Sequence, residues 1–303
     1  CSFVAAAKRD DNLVVVSSRE EPGEPIQWEI SDEPPVGMKW ASYALGMAWL
    51  MRQPASSGLT LSISSDVPVG AGLSSSAALE MAVGVALRDL WETPHSDRDI
   101  AALGTRAEND VVGAPTGTMD QLASMLGQPD SAVVIDCDSG HAELVTLALG
   151  ASGFEFVVAD TGVRHQHATG GYGDRRRGCE QAASLLGVAN LSRVSLGSLD
   201  SALAQLPEDL HGVVRHVVTE NARVREVIDA LASGDLSRVG VALSQSHRSL
   251  AQDFQVSIDE LDQTVDAAIR AGALGARMVG GGFGGSVLAL GPRGLQQAWS
   301  AEL

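Results

Sequence analysis

Apolar positions along this chain recur with two periods, and the change from one to the other predicts its elements. Short apolar runs at Phe3–Ala7 and Leu13–Ser17 and alternation at Ile26–Ile30 predict short strands, and the polar run Lys8-Arg9-Asp10-Asp11-Asn12 predicts a hairpin joining the first two. A helical period then covers Met38–Met51, a strand follows at Leu59–Ser64, and a second helix runs over Ser74–Leu90. Ser96 and Asp99 form a capping pair for a helix reaching about Val112. Gly113-Ala-Pro-Thr-Gly117 cannot continue that helix and reads as a loop, after which Met119–Leu126 is helical until Gly127 stops it. Val133–Asp136 and Leu144–Leu147 read as strands. Leu149–Phe154, with Gly150 and Gly153, is the predicted domain junction, dividing the chain into residues 1–150 and 151–303. Beyond it come a strand at Phe154–Ala159 and helices near Asp174–Leu186, Leu210–Leu231, Leu236–Leu250 and Ile258–Ala271. Two last strands, Ala276–Val279 and Ser286–Leu290, flank a glycine run. Strands and helices mixed without regular βα alternation predict an α+β layered fold.

Composition narrows the class of partner. A chain of 303 residues with 45% hydrophobic and 19% charged residues can bury a substantial core. Its net charge of −17 argues against nucleic acid and anionic membranes, which draw on clustered Lys and Arg. The one basic cluster, Arg175–Arg177, reads as the solvated start of a helix. Cys1, Cys137 and Cys179 are odd in number and far apart, the pattern of a reduced, cytoplasmic chain. The longest apolar run, Ala77–Leu87, is interrupted by Glu80 and is too short to span a bilayer. Nothing near Cys1 reads as a signal peptide. A first residue other than Met leads us to expect the natural start elsewhere.

The most informative chemistry lies at residues 67–79, Val-Pro-Val-Gly-Ala-Gly-Leu-Ser-Ser-Ser-Ala-Ala-Leu. Gly70, Ala71, Gly72 and Leu73 give a backbone able to approach a ligand closely. Ser74, Ser75 and Ser76 can cap the following helix, whose amino end favours an anion. This is the chemistry of a phosphate cradle, and equally that of a capped helix after a tight turn; a Walker loop is excluded, since the chain has only Lys8 and Lys39, neither near the glycines. A nucleotide held here rests on backbone amides, hydroxyls and a metal. Gly280–Gly285 satisfies Gly-x-Gly-x-x-Gly but precedes a strand rather than opening a helix, so a dinucleotide site is unsupported. No Gly-x-Ser-x-Gly elbow is present. His165-x-His167 lacks a third metal ligand in register and reads as a hydrogen-bonded loop pair. Glu108 and Asp120 flank the loop at 113–117, either as acids folded toward one cleft or as an exposed helix charge and a dipole-complementing surface residue.

Val67–Ala78 resembles the second motif of the GHMP small-molecule kinases, and Gly280-Gly-Gly-Phe-Gly-Gly285 their third. Gly117-Thr-Met-Asp-Gln121, Thr161-Gly-Val-Arg-His165 with Tyr172 and Arg175–Glu180, and Ser246-His-Arg-Ser-Leu250 followed by Asp253-Phe narrow the resemblance to galactokinases. It runs from about Val14 to Leu290. It implies a two-domain GHMP kinase fold with a ferredoxin-like C-terminal domain, and ATP-dependent phosphorylation of galactose at its anomeric hydroxyl, giving galactose 1-phosphate and ADP. The implied cofactors are ATP, on Gly70–Ser76, and Mg²⁺, on Ser76 and Glu108. Asp120 matches the catalytic aspartate, which also meets the substrate, and Tyr172 the tyrosine that contacts the sugar. Tyr172 between glycines also suits a loop anchor. The expected protein is a monomer whose partner is a small molecule. Two alternatives stand beside this reading: a related kinase for N-acetylgalactosamine, homoserine or mevalonate, and a sugar- and ATP-binding regulator without catalysis. The family's first motif, a Gly-Arg-x-Asn-Leu-Ile-Gly-Glu-His run with sugar-binding acids, is absent from the sequence, and its final strands are cut short at Leu303. The expectation is a trimmed portion of a longer protein, or a fragment lacking half its sugar site.

Overall fold

The computed structural model describes residues 1–53, 57–114, 116–163 and 168–303, with the backbone alone at 168–170. The chain forms two compact units, one of residues 1–69, 74–128 and 133–144, the other of 70–73, 129–132 and 145–303.

In the first unit, strands β1 (Ser2–Lys8), β2 (Leu13–Ser18), β3 (Ile26–Glu29) and β4 (Leu59–Ser65) form one sheet in the order β1-β4-β2-β3. The alternating pattern sends Val14, Val16, Trp28, Leu59, Leu61 and Ile63 to one buried face. On that face lie α1 (Ala41–Met51), α2 (Ser75–Trp91), α3 (Asp97–Arg106) and α4 (Met119–Leu126). Leu45, Met47, Met51, Leu87 and Ile100 are fully buried among them, each contributing about 1.5–3 kcal/mol. Gly104 lets α3 approach its neighbours, because a Cβ there would lie 2.4 Å from Met81 Cε and 3.1 Å from Gln121 Cγ.

One local expectation is corrected, and two elements gain detail. β1 and β2 do not pair as a hairpin: β4 lies between them, antiparallel to β1 and parallel to β2. The connection between them grips the chain before β4, with Arg9 N–H on the Gly58 carbonyl at 2.8 Å and Gly58 N–H on the Asp11 carbonyl at 2.8 Å. The helix after Ser96 carries the expected capping box, but beyond Arg106 it widens into a π-helical turn, Ala107–Val112, ending at Gly113 with φ +80°. The junction at Leu149–Ser152 is itself a short helix, α5.

Strands β5 (Ser131–Ile135) and β6 (Ala142–Thr146) form a hairpin crossed by the boundary between the units. The second unit holds a three-stranded antiparallel sheet in the order β7-β9-β8, from Phe154–Asp160, Ser286–Pro292 and Gly275–Val279 respectively. Helices α6 (Ala168–Leu185), α7 (Leu199–Leu203), α8 (His211–Ser233), α9 (Leu236–Gln252), α10 (Asp259–Arg270) and α11 (Leu295–Ser300) complete it. Leu261, Met278, Val287, Leu295 and Trp299 form its central core, and α9 runs against β8 so closely that a Cβ on Gly240 would lie 2.4 Å from the Leu274 carbonyl. Among the described residues no helix is long and apolar enough to cross a membrane.

Candidate active site

Separate stretches of sequence meet at the glycine run of the second unit. Gly70–Leu73 belongs to this unit although both its flanks belong to the first. Ala71 is fully buried, and its carbonyl accepts a hydrogen bond from Ser286 Oγ at 2.6 Å. Gly72 has φ +73°, and a Cβ there would stand 3.3 Å from the Val279 carbonyl oxygen, so both its backbone angle and its clearance favour glycine. The run is also held from three other directions. Thr161 donates to the Gly285 carbonyl through Oγ1 at 2.7 Å and through its N–H at 3.0 Å, while Gly285 N–H returns to the Val163 carbonyl at 3.1 Å. Phe283 N–H donates to the Val256 carbonyl at 2.7 Å. The Phe283 ring packs where a Gly171 side chain would stand, and the Tyr172 ring lies 3.7 Å from the Cβ position of Gly281. Tyr172 is therefore on α6, 43% exposed, and the glycine before it serves packing, not a loop as the sequence suggested.

The serines begin the first unit's α2. Ser74 sits at its N-terminus with φ 55° and ψ 43°, and its side chain makes no cap. A capping hydroxyl needs an extended backbone at that position, so the expected serine cap is corrected. Among the described residues the hydroxyls of Ser74, Ser75 and Ser76 have no hydrogen-bond partner. They stand at the open end of a 17-residue helix whose first amides have no intrahelical acceptor. Phosphate fits this set of donors.

The acids of the first unit gather around α2, α3 and α4. Glu108 lies in the π-helical turn and is 5% exposed, which rules out the exposed-charge reading. Thr116 Oγ1 donates to its Oε2. Asn109 Nδ2 ties the loop back by donating to the Thr105 carbonyl at 2.7 Å and the Thr116 carbonyl at 3.2 Å. A carboxylate buried with one hydroxyl donor, and in no ion pair among the described residues, suits a cation. Asp120 is half-buried in the first turn of α4. Its neighbour Gln121, 1% exposed, donates from Nε2 to Glu80 Oε2 at 3.1 Å. Glu80 is fully buried, and burial, with the charge of Glu108 adding to it, raises its pKa to about 9. The remaining oxygens of the pair, Glu80 Oε1 and Gln121 Oε1, have no partner in the absence of a proton. A protonated Glu80 carboxyl has a donor to offer in this buried setting, which a carboxylate lacks. Sequence reasoning passed over Glu80 as a break in an apolar run; its signal was that very interruption.

Asp120, Ser76 and Glu108 belong to the first unit, Gly70–Leu73 and Tyr172 to the second. Arg176 and Arg177 are spent on exposed pairs with Glu180 and Asp174. His165 and His167 lie outside the described residues. No cluster of three or more metal-ligating side chains occurs among the described residues. A groove of ≈ 590 Å³ on the first unit's sheet, lined by Phe3, Ser17, Arg19 and Ser62 among others, contains no predicted site residue.

Comparison with known proteins agrees with the motifs. The family models for the GHMP kinases N terminal domain and the GHMP kinases C terminal match residues 42–128 and 227–301. A galactokinase of Streptomyces coelicolor is 42% identical over 294 residues, covering 95% of this chain and 76% of the relative. One from Mannheimia succiniciproducens is 38% identical over 304 residues, covering 95% and 77%. The crystal structure of Lactococcus lactis galactokinase complexed with galactose matches with a TM-score of 0.93 at 30% identity, covering 99% of this chain and 79% of that one. Methanococcus jannaschii mevalonate kinase, with a TM-score of 0.69 at 17% identity over 100% of this chain and 84% of its own, shares the fold.

Proposed function

This chain belongs to the galactokinases of the GHMP kinase family, and from that membership we propose how its residues phosphorylate galactose. The reaction moves the γ-phosphoryl group of ATP to the anomeric hydroxyl, giving galactose 1-phosphate and ADP. Little covalent chemistry falls to the protein in such a transfer, which is largely positioning and charge stabilisation. Gly70–Leu73 and the hydroxyls of Ser74–Ser76 bind the ATP phosphates, a reading carried by the seating of Gly72 on the glycine run. Ser76 and Glu108 are the proposed Mg²⁺ ligands; the ion, when bound, neutralises charge on the phosphate oxygens. Asp120 orients the acceptor hydroxyl and takes its proton, and Tyr172 contacts the sugar. Residues 1–150 and 151–303 are read as the N- and C-terminal domains. The family membership and the unengaged serine hydroxyls favour catalysis over a purely regulatory protein.

The test is galactose-dependent ADP release, run beside N-acetylgalactosamine, homoserine and mevalonate. Galactose should be the preferred acceptor. Asp120→Asn should lower kcat by roughly 10²–10⁴, the usual worth of a general base, while leaving galactose and ATP affinity intact. Preference for another acceptor would overturn the substrate, and a kcat within about tenfold of wild type would remove Asp120 from catalysis.

A further inference from the structure

Ser246-His-Arg-Ser-Leu250 helps to mark the family, yet none of its side chains enters the reaction above. The stretch lies on α9, with Ser246, His247 and Ser249 only 3%, 8% and 5% exposed. Buried polar groups need partners, and here the partners lead to the glycine run. Ser246 Oγ donates to Glu220 on α8. The same carboxylate takes Arg277 Nη1 at 3.0 Å and Arg223 Nε at 2.7 Å. Arg277, on β8, donates from Nε to the Met278 carbonyl at 2.9 Å, and Met278 N–H donates to His247 Nδ1 at 3.3 Å. His247 Nε2 reaches Asp262 at 3.1 Å. Strand β8 pairs with β9 on one side only, so its outer edge would otherwise carry open backbone groups. Both polar backbone groups of Met278 are instead held by side chains. An accepting Nδ1 requires a neutral imidazole with its proton on Nε2, and burial lowers the His247 pKa below its ordinary value.

Two residues past Met278 the glycine run begins, and a Cβ on Gly280 would lie 3.2 Å from Gly72 Cα. A second arm starts at Ser249, whose Oγ donates to Asp253 Oδ2 at 2.8 Å and so takes its 3.0 Å bond from His216 Nδ1 as acceptor. From Asp253 the chain turns through Gln255, φ 54°, to Val256, whose carbonyl holds Phe283. The motif therefore fixes the chain just before the run, at Met278, and within it, at Phe283.

We propose that His247 and Glu220 are positioning residues for ATP: by fixing the end of β8 they hold Gly280 under Gly72 and keep the phosphate loop Gly70–Leu73 in its binding shape. This rests on reading that loop as the phosphate cradle. Neither side chain touches the ligand, so the effect falls on affinity for ATP and spares affinity for galactose.

Two variants of one residue separate the role from general stability. The Oδ1 of His247→Asn can still accept from Met278 N–H while contact with Asp262 is lost; His247→Gln keeps the Asp262 end and leaves Met278 N–H unpaired. Calorimetric ATP titration should show affinity weakened roughly three- to tenfold in His247→Gln, the scale of one hydrogen bond, and within about twofold of wild type in His247→Asn. Galactose affinity should be unchanged in both. Wild-type ATP affinity in His247→Gln, or joint loss of both ligands in proportion to melting temperature, overturns the proposal. If His247→Gln does not fold, Ser246→Ala, which leaves both arginines on Glu220, should show a smaller loss in the same direction, and unchanged ATP affinity there overturns it instead. Gly72→Val distinguishes the two readings. If it keeps ATP, the cradle itself fails; if it loses ATP while the His247 and Ser246 variants keep it, the cradle stands and the positioning role falls.

Discussion

At the scale of single residues, environment decides what a carboxylate can do. Glu108 and Glu80 are both acids on helical segments, and both are buried. Glu80 meets an amide and, by burial, holds its proton toward a pKa of about 9, which makes it a neutral packing partner for Gln121. Glu108 meets a single hydroxyl and no cationic side chain among the described residues, the surroundings of a group that expects a cation. Magnesium dependence tests this difference. Glu108→Gln should raise the Mg²⁺ concentration needed for half-maximal rate by about tenfold or more, since even outer-shell partners of a metal act on that scale. Ser76→Ala, losing a neutral oxygen ligand, should shift it in the same direction by less. Galactose binding measured without nucleotide should not move. Superimposable magnesium titrations for both variants and wild type would take the metal away from these residues.

At the scale of elements, the glycine loop is a piece of backbone whose shape is set elsewhere. Val at position 72 would both resist φ +73° and press on the Val279 carbonyl. Gly72→Val should therefore lose most of the thermal stabilisation that ATP confers, with little change in that conferred by galactose. A folded variant still stabilised by ATP as strongly as wild type would reduce the loop to an ordinary turn. Elements with a strong local period were legible in the sequence: Met119–Leu126 begins and ends as predicted because Gly127 breaks the helical period, and the Ser96–Asp99 box is a contact between neighbours in the chain. What depended on distant partners was not legible. β4 separates β1 from β2 across some 50 residues of sequence, and the Glu220–Arg277 pair spans 57. The sequence shows the serines as a run of hydroxyls at a helix start but not that they leave it uncapped, because Ser74 takes a left-handed backbone that residue type alone does not announce. The polar residues of the Ser246 stretch were visible as a motif; their partners on α8 and β8 were not.

At the scale of the whole molecule, two cores carry opposite proton dependences. In the first unit, Glu80 is protonated when folded up to about pH 9 but titrates in the unfolded chain near its ordinary value of 4.5. Between those values the folded state holds the extra proton, so rising pH lowers the unit's stability. In the second unit, burial lowers the His216 pKa to about 4, against the opposing pull of Glu220 and Asp253 and with the help of Arg223 and Arg277. His247 is shifted the same way. Here the unfolded chain takes the extra proton below its ordinary value of 6.5, so stability is full above that pH and falls as pH drops toward 4. The lowered carboxylates Asp11, Asp99, Glu20 and Glu220 act only below pH 4.5 or so, leaving the interval between about pH 5 and 8 to these buried groups. Hydrogen exchange resolved by peptide, corrected for intrinsic rate and made without nucleotide or magnesium, should show the two trends in one sample. From about pH 5 to 6.5 protection should rise in α8 and α9 and fall in α2 and α4; above that, only the fall in α2 and α4 should continue. Glu80→Gln, which places an amide donor where the carboxyl proton sits, should abolish the fall and leave the rise in α8 and α9 untouched. If α2 and α4 keep constant protection across the interval, or Glu80→Gln follows the wild-type slope, Glu80 is ionised in the folded protein and the neutral pairing with Gln121 is wrong.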